Sequence, residues 1–328
     1  MKKIVAMIVA LVMMLTLVNA VSAETDGRDW LKGNTITIVV PFKAGGSLDL
    51  MVRAFVPFWE QAADATFVVE NREGANSMLG TAYFFTKKQD MQTIYCGTQT
   101  YVSGNIVQGA NFAIEDFALF NMQQVDPTTL TVLKDSPYQS MEDLIAAMKE
   151  KPGKIKCGMT AGGAGAIMLK MLADTYGLDF KLITYDSGNE FRTALLGGHV
   201  DFIAGSANGD LGLGDKGKPL VVCGTDRNTL WPDTPTTNEL WPELGIPESL
   251  GSCRFFSCSA EAAKNYPERF NALLETYNEA FANEEYQALL ESNGQKAVSN
   301  NYGPEVSDQL NLGLHQLIVD NADALVSE

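Results

Sequence analysis

The stretch Val39-Val40-Pro41-Phe42-Lys43-Ala44-Gly45-Gly46-Ser47-Leu48-Asp49-Leu50 decides how this chain is read. Thr35 to Val40 is a short, β-branched apolar run, which predicts a buried strand. Beyond the glycines, Leu50, Val52, Phe55, Val56 and Trp59 recur near helical spacing. Ser47 suits a helix N-cap, and Asp49 falls in the first turn, where a carboxylate complements the helix dipole. A strand, a Gly-Gly turn and a helix N-terminus together aim backbone N–H groups into one concave nest, a place for an anion. A plain tight turn between strand and helix is the alternative reading. Pro57 predicts a kink or break in the helix, because a mid-helix proline loses a hydrogen bond and clashes with the preceding turn.

Upstream, Met1-Lys2-Lys3 leads into an apolar run from Ile4 to Val18 and then to Val21-Ser22-Ala23. A basic start, a short apolar segment and small residues predict a secretory signal peptide over residues 1–23, with cleavage after Ala23 and Ala20 as the alternative. The apolar run is short for a membrane span, so a soluble, periplasmic or otherwise extracytoplasmic protein is expected. The 328 residues carry 40 acidic and 24 basic side chains, a formal net charge of −16. That balance does not suit nucleic acid or an anionic membrane surface, and any anion site must be built locally. The length suffices for two domains with their own cores.

Five cysteines are present. Cys96, Cys157 and Cys223 each end an apolar run before a glycine, which predicts small buried residues at strand C-termini. A Cys253–Cys258 bridge is left open. There is no C-x-x-C pair, and neither a metal site nor a cofactor is expected.

Strand and helix signals alternate along the chain. Phe117 to Val132 is apolar and β-branched, with an interruption expected at Asp126-Pro127. Ser140 and Asp143 mark a capped helix. A second strand, glycine turn and helix occurs at Ile155 to Gly158, Met159-Thr160-Ala161-Gly162-Gly163-Ala164-Gly165, and Ile167 onward. Such alternation predicts parallel sheets covered by helices, with ligands at the carboxyl ends of the strands. An exported enzyme is the competing class. Only His199 and His315 are present, and no His-Glu-x-x-His or Gly-x-Ser-x-Gly motif occurs. Gly212 to Gly217 fits Gly-x-Gly-x-x-Gly, but no clear strand precedes it and Pro219 follows where a helix should run.

Together these motifs resemble the extracytoplasmic solute receptors of tripartite tricarboxylate transporters. The resemblance rests on Pro41-Phe42, Gly45-Gly46-Ser47, Asp49 and Arg53, then on Val69-Glu70-Asn71-Arg72-Glu73-Gly74-Ala75. It continues through Gly97-Thr98, Asp116-Phe117, Tyr185-Asp186-Ser187-Gly188, Leu195 to Asp201 and Asp233-Thr234-Pro235-Thr236. The match runs from about residue 35 to 300. The chain departs from the family in lacking a His in the central glycine loop, in Asp186 where Arg or Lys is common, and in the tail after Tyr302.

The resemblance implies an α/β, type II periplasmic-binding-protein fold. Domain 1 would combine 24–130 with 226–328, domain 2 would be 131–225, and hinges would lie near Thr129–Leu133 and Cys223–Asp226. It implies a monomeric, non-enzymatic binding protein that takes a small organic carboxylate, di- or tricarboxylate or similar, to membrane transporter subunits. A receptor signalling to a membrane sensor is the alternative within the same fold. Gly45, Gly46 and Ser47 would give N–H donors to one carboxylate, with Thr98 and Thr100 adding hydroxyls. Thr160, Ala161, Gly162 and Gly163 would hold the other end from domain 2, where Ser206 also falls. Lys43, beside Ala44, could complement a second carboxylate or stay a solvated loop residue. Asp49 would orient water or the loop. Asp186 would meet a ligand ammonium or hydroxyl, or cap the following helix. Phe42 and Tyr185 would form apolar walls or simply pack.

Overall fold

The computed structural model describes residues 27–325; the expected signal peptide lies outside them. Strand β1 (Thr35–Val40) lies between two parallel neighbours, β2 (Thr66–Asn71) and β3 (Thr93–Thr98). A 17-residue strand, β4 (Phe117–Leu133), follows. The first pattern then recurs, with β5 (Lys156–Thr160) between parallel β6 (Lys181–Tyr185) and β7 (Phe202–Ser206). Strands β8 (Gly217–Val222) and β9 (Gly251–Ser259) complete the sheet. Its order is β2-β1-β3-β9-β4-β7-β5-β6, with β8 also on β4. The two halves are therefore one topology used twice, joined through β4.

Asp126-Pro127 does not interrupt β4; it is where the strand changes partners. Up to Pro127 the strand pairs with β9, and from Thr128 it pairs with β7, joined by β8 from Thr129. Proline has no N–H for a ladder, and its place at the change of partner makes that loss tolerable. The crossing thus precedes Thr129–Leu133, which is clamped between β7 and β8. The return crossing starts at Cys223, whose N–H donates to the Thr128 carbonyl at 2.8 Å.

Helices α1 (Gly27–Leu31), α2 (Ser47–Ala63), α3 (Met78–Phe85) and α4 (Gln99–Val107) belong with the first half. The second half carries α5 (Met141–Glu150), α6 (Ala164–Tyr176) and α7 (Gly188–Leu196). Helix α5 starts with the expected capping box, Ser140 accepting from the Asp143 N–H and Asp143 from the Ser140 N–H. Helix α2 runs unbroken through Pro57. Pro57 and Arg53 lie on the solvent side, so water can serve the carbonyl that Pro57 leaves without an N–H.

Downstream come α8 (Thr237–Leu240), α9 (Ala260–Asn265), α10 (Pro267–Ala282), α11 (Glu284–Ser292) and α12 (Gly303–Asp320). The late helices return to the first half. Phe55 packs on Tyr277 with ring centroids 4.9 Å apart, and the Trp59 indole N–H donates to Thr276 Oγ1 at 3.1 Å. Burial of such rings against each other fixes α10 on α2.

All five cysteines are buried and unpaired. Cys253 and Cys258 are an odd number of residues apart on β9, so they point to opposite faces and cannot bridge. Cys157 is the second residue of β5 rather than its end.

Candidate functional site

The two glycine turns have one geometry. Gly45 and Gly162 are left-handed, with φ of 78° and 71°. Gly46 and Gly163 are the N-caps of α2 and α6, with φ, ψ of −71°, 164° and −78°, 164°. Each N-cap donates its N–H to the carbonyl three residues back, Gly46 to Lys43 at 3.2 Å and Gly163 to Thr160 at 3.4 Å. Ser47 is therefore the first helical residue and not the cap. The expectation that Gly45 and Gly46 offer N–H groups to a ligand is also corrected. Gly45 donates to Asp49 Oδ2 at 2.8 Å, so both N–H groups are used within the turn. The donors left for a ligand are those opening the helices, at Ser47 and Leu48 in α2 and at Ala164 and Gly165 in α6.

Asp49 is the brace of the first turn. It is buried, accepts from Arg53 Nε at 2.9 Å and from Asn71 Nδ2 at 3.0 Å, and Asn71 Nδ2 also reaches the Phe42 carbonyl at 3.0 Å. Burial pushes the Asp49 pKa up, but the bonds from Arg53, Gly45 and Asn71 outweigh it and hold the pKa below the usual carboxylate range. Asp49 thus shapes the loop and has no spare lone pair aimed at an anion.

Between the two turns lies a polar floor. Thr98, Arg254 and Gln124 stand side by side on β3, β9 and β4. Two residues further along β4, Asp126 shares the face of Gln124, and next comes Thr128, paired with Ser206 on β7. Arg254 was not anticipated from the sequence. Its guanidinium donates to Gln124 Oε1 at 2.7 Å and to Ser47 Oγ at 2.9 Å, beside the start of α2. Burial pulls its pKa below the usual value. Asp126 accepts from the Asn208 N–H at 2.8 Å, and burial raises its pKa, opposed by that bond, the Ser206 hydroxyl and Arg254. Beneath Ser206, Arg192 pairs with fully buried Asp210 at 2.8 Å, and Thr129 and Thr131 donate to the same carboxylate.

Tyr101 on α4 crosses between the halves. Its hydroxyl faces Thr160, and a Cβ placed on Gly162 would sit 3.8 Å from its ring. Phe42 packs edge-on against Tyr101 at 5.3 Å, so it forms part of the wall. Thr98 lies at the N-cap of α4 and Thr100 is buried within the helix. Lys43, Ala44 and Ala161 are exposed. Tyr185, the strand neighbour of Thr160, packs toward Phe191 and Leu195 under α7. Asp186 is exposed and caps nothing: Ser187 is the cap of α7, and the Asp186 N–H donates to Glu190. Among the described residues no cluster of His, Cys, Asp or Glu could hold a metal.

A twice-used α/β unit, with two glycine-capped helix N-termini beside one polar floor, is the architecture of a solute-binding protein. The chain belongs to the tripartite tricarboxylate transporter receptor family: the model described as "Tripartite tricarboxylate transporter family receptor" matches residues 59–306. It is 26% identical to protein BugT of Bordetella pertussis over 243 residues, covering 70% of this chain and 72% of BugT. A TctC solute-binding protein from Polaromonas is similar in structure, with TM-score 0.68, 24% identity, and 88% of this chain and 98% of that chain covered. MatC from Rhodopseudomonas palustris with bound malate gives TM-score 0.70, 18% identity, and 89% and 99% coverage. Among the described residues no helix is long and apolar enough to cross a membrane.

Proposed function

We propose that this chain captures a small organic carboxylate between its lobes and delivers it to a membrane transporter outside the cytoplasm. The observation that carries this reading is the pair of glycine-capped helix N-termini at Ser47 and Ala164, with Arg254 on the floor against Ser47. Helix N-termini and a guanidinium both favour a carboxylate. The malate bound by MatC is in keeping with that chemistry. One lobe is residues 27–127 with 224–325 and the other residues 128–222, and the protein works as a monomer. Ligand closes them by rotation about the crossings at Asp126–Thr128 and after Val222, where β4 and β8 leave one lobe for the other.

The test is a thermal-shift screen of the mature chain against mono-, di- and tricarboxylates, with calorimetry on each hit. Ligand at about 100 times its Kd adds about 2.7 kcal/mol of stability, enough to move Tm by degrees. A carboxylate that stabilises the fold and binds with 1:1 stoichiometry supports the reading. A flat response to every carboxylate, with no small molecule released on denaturation, rejects it.

A further inference from the structure

The floor holds two opposite charges that feel each other but form no ion pair. Arg254 donates to Gln124 and Ser47, which are neutral. Asp126 accepts from the Asn208 backbone and lies by the Ser206 hydroxyl, also neutral. Among the described residues neither joins an ion pair, in contrast to Arg192 with Asp210 and Arg53 with Asp49 nearby. Both are partly exposed, so they are open to the cleft while recessed from bulk water. Recessed ions without a direct partner are costly, and a ligand that places its own opposite charges against each of them recovers that cost. The strand register sets them on one face: Arg254 opposite Gln124, and Asp126 opposite Ser252, one alternation along.

We infer that the ligand is a zwitterion of the amino-acid type. Its carboxylate binds Arg254 and the N–H groups that open α2, and its ammonium binds Asp126 and the Ser206 hydroxyl. This rests on the carboxylate-capture reading and adds the second charge to it. A dicarboxylate fits the floor poorly. Its second carboxylate would face Asp126, while Arg192 is already committed to Asp210 and Lys43 is exposed on the first loop.

The experiment is calorimetry of the mature chain with the twenty common L-amino acids and, for each, the same acid lacking the amino group. Succinate, malate and adipate complete the set. An amino acid that binds at least about 10-fold more tightly than its desamino partner supports the inference, since one charge-assisted bond is worth that much. In Asp126→Asn that preference should collapse, with the desamino acid little changed. In Arg254→Gln both should weaken by about 10- to 100-fold, and Arg254→Lys should restore part of the loss. Thermal unfolding of each variant checks that it is folded. Desamino acids or dicarboxylates binding as tightly as amino acids overturn the inference and leave carboxylate capture standing. So does an Asp126→Asn protein that keeps the preference, or a folded Arg254→Gln protein with undiminished affinity. No binding by any of these compounds overturns the inference, and carboxylate capture then stands or falls by the wider screen and the release of a small molecule on denaturation.

Discussion

Asp49 shows how one carboxylate can shape a binding loop without touching what is bound. Its three partners come from the turn, from one helical turn onward and from β2. Removing the charge leaves a buried site with unmatched donors, so Asp49→Asn should cost about 1–3 kcal/mol at neutral pH. The native pKa of Asp49 is depressed relative to the unfolded chain. Its contribution is therefore complete above the ordinary carboxylate range and is lost as pH falls through the native value. Urea melts of wild type and Asp49→Asn should differ most near neutral pH and converge in acid; a pH-independent gap would contradict this account. The sequence put Asp49 in the right turn, but for its dipole. Its true partners include Asn71, 22 positions away, and no local pattern announces that contact. Arg254 was hidden for the same reason, although a single cation inside the otherwise uncharged run Gly251–Ser259 was a signal.

At the level of elements, the two glycine turns are interchangeable in geometry, so equivalent changes should have equivalent effects. A Cβ on Gly46 would stand 3.1 Å from the Lys43 carbonyl, and one on Gly163 2.9 Å from Thr160 Oγ1. Both residues have negative φ, so valine is permitted in backbone terms while its methyl groups crowd the helix N–H groups. Gly46→Val and Gly163→Val should each weaken ligand binding about 10-fold or more by calorimetry and leave a folded protein by circular dichroism. Full affinity in both folded variants would remove the turns from the site. The elements themselves were legible because period and punctuation agree: β-branched runs, then glycine, then 3.6-residue spacing. The errors fell at prolines. Pro57 and Pro127 predict breaks locally, yet one faces water in a helix and the other marks a change of strand partner. Propensity cannot see either circumstance.

For the whole molecule, the repeated strand, glycine turn and helix pointed to two separate sheets, and the structure joins the two halves through one strand, β4. The lobes approach each other at Tyr101, whose hydroxyl faces Thr160 across the cleft. Closure should thus be visible in solution. X-ray scattering should show a smaller radius of gyration with a saturating ligand than without, and an identical curve would mean that binding needs no lobe movement.

The position of β9 has a further consequence, in time rather than in space. It fills the gap between β3 and β4, yet more than a hundred residues are synthesised after β4 before it appears. Until Gly251–Ser259 has been made, the first lobe is a sheet with a strand missing from its middle, and its aromatic core still lacks Tyr277 and Tyr286. The second lobe, whose strands β5 to β8 are consecutive, has no such wait. Non-local pairing of this kind is slow to form. A nascent chain built in this order keeps its larger lobe open until Tyr286 has been added.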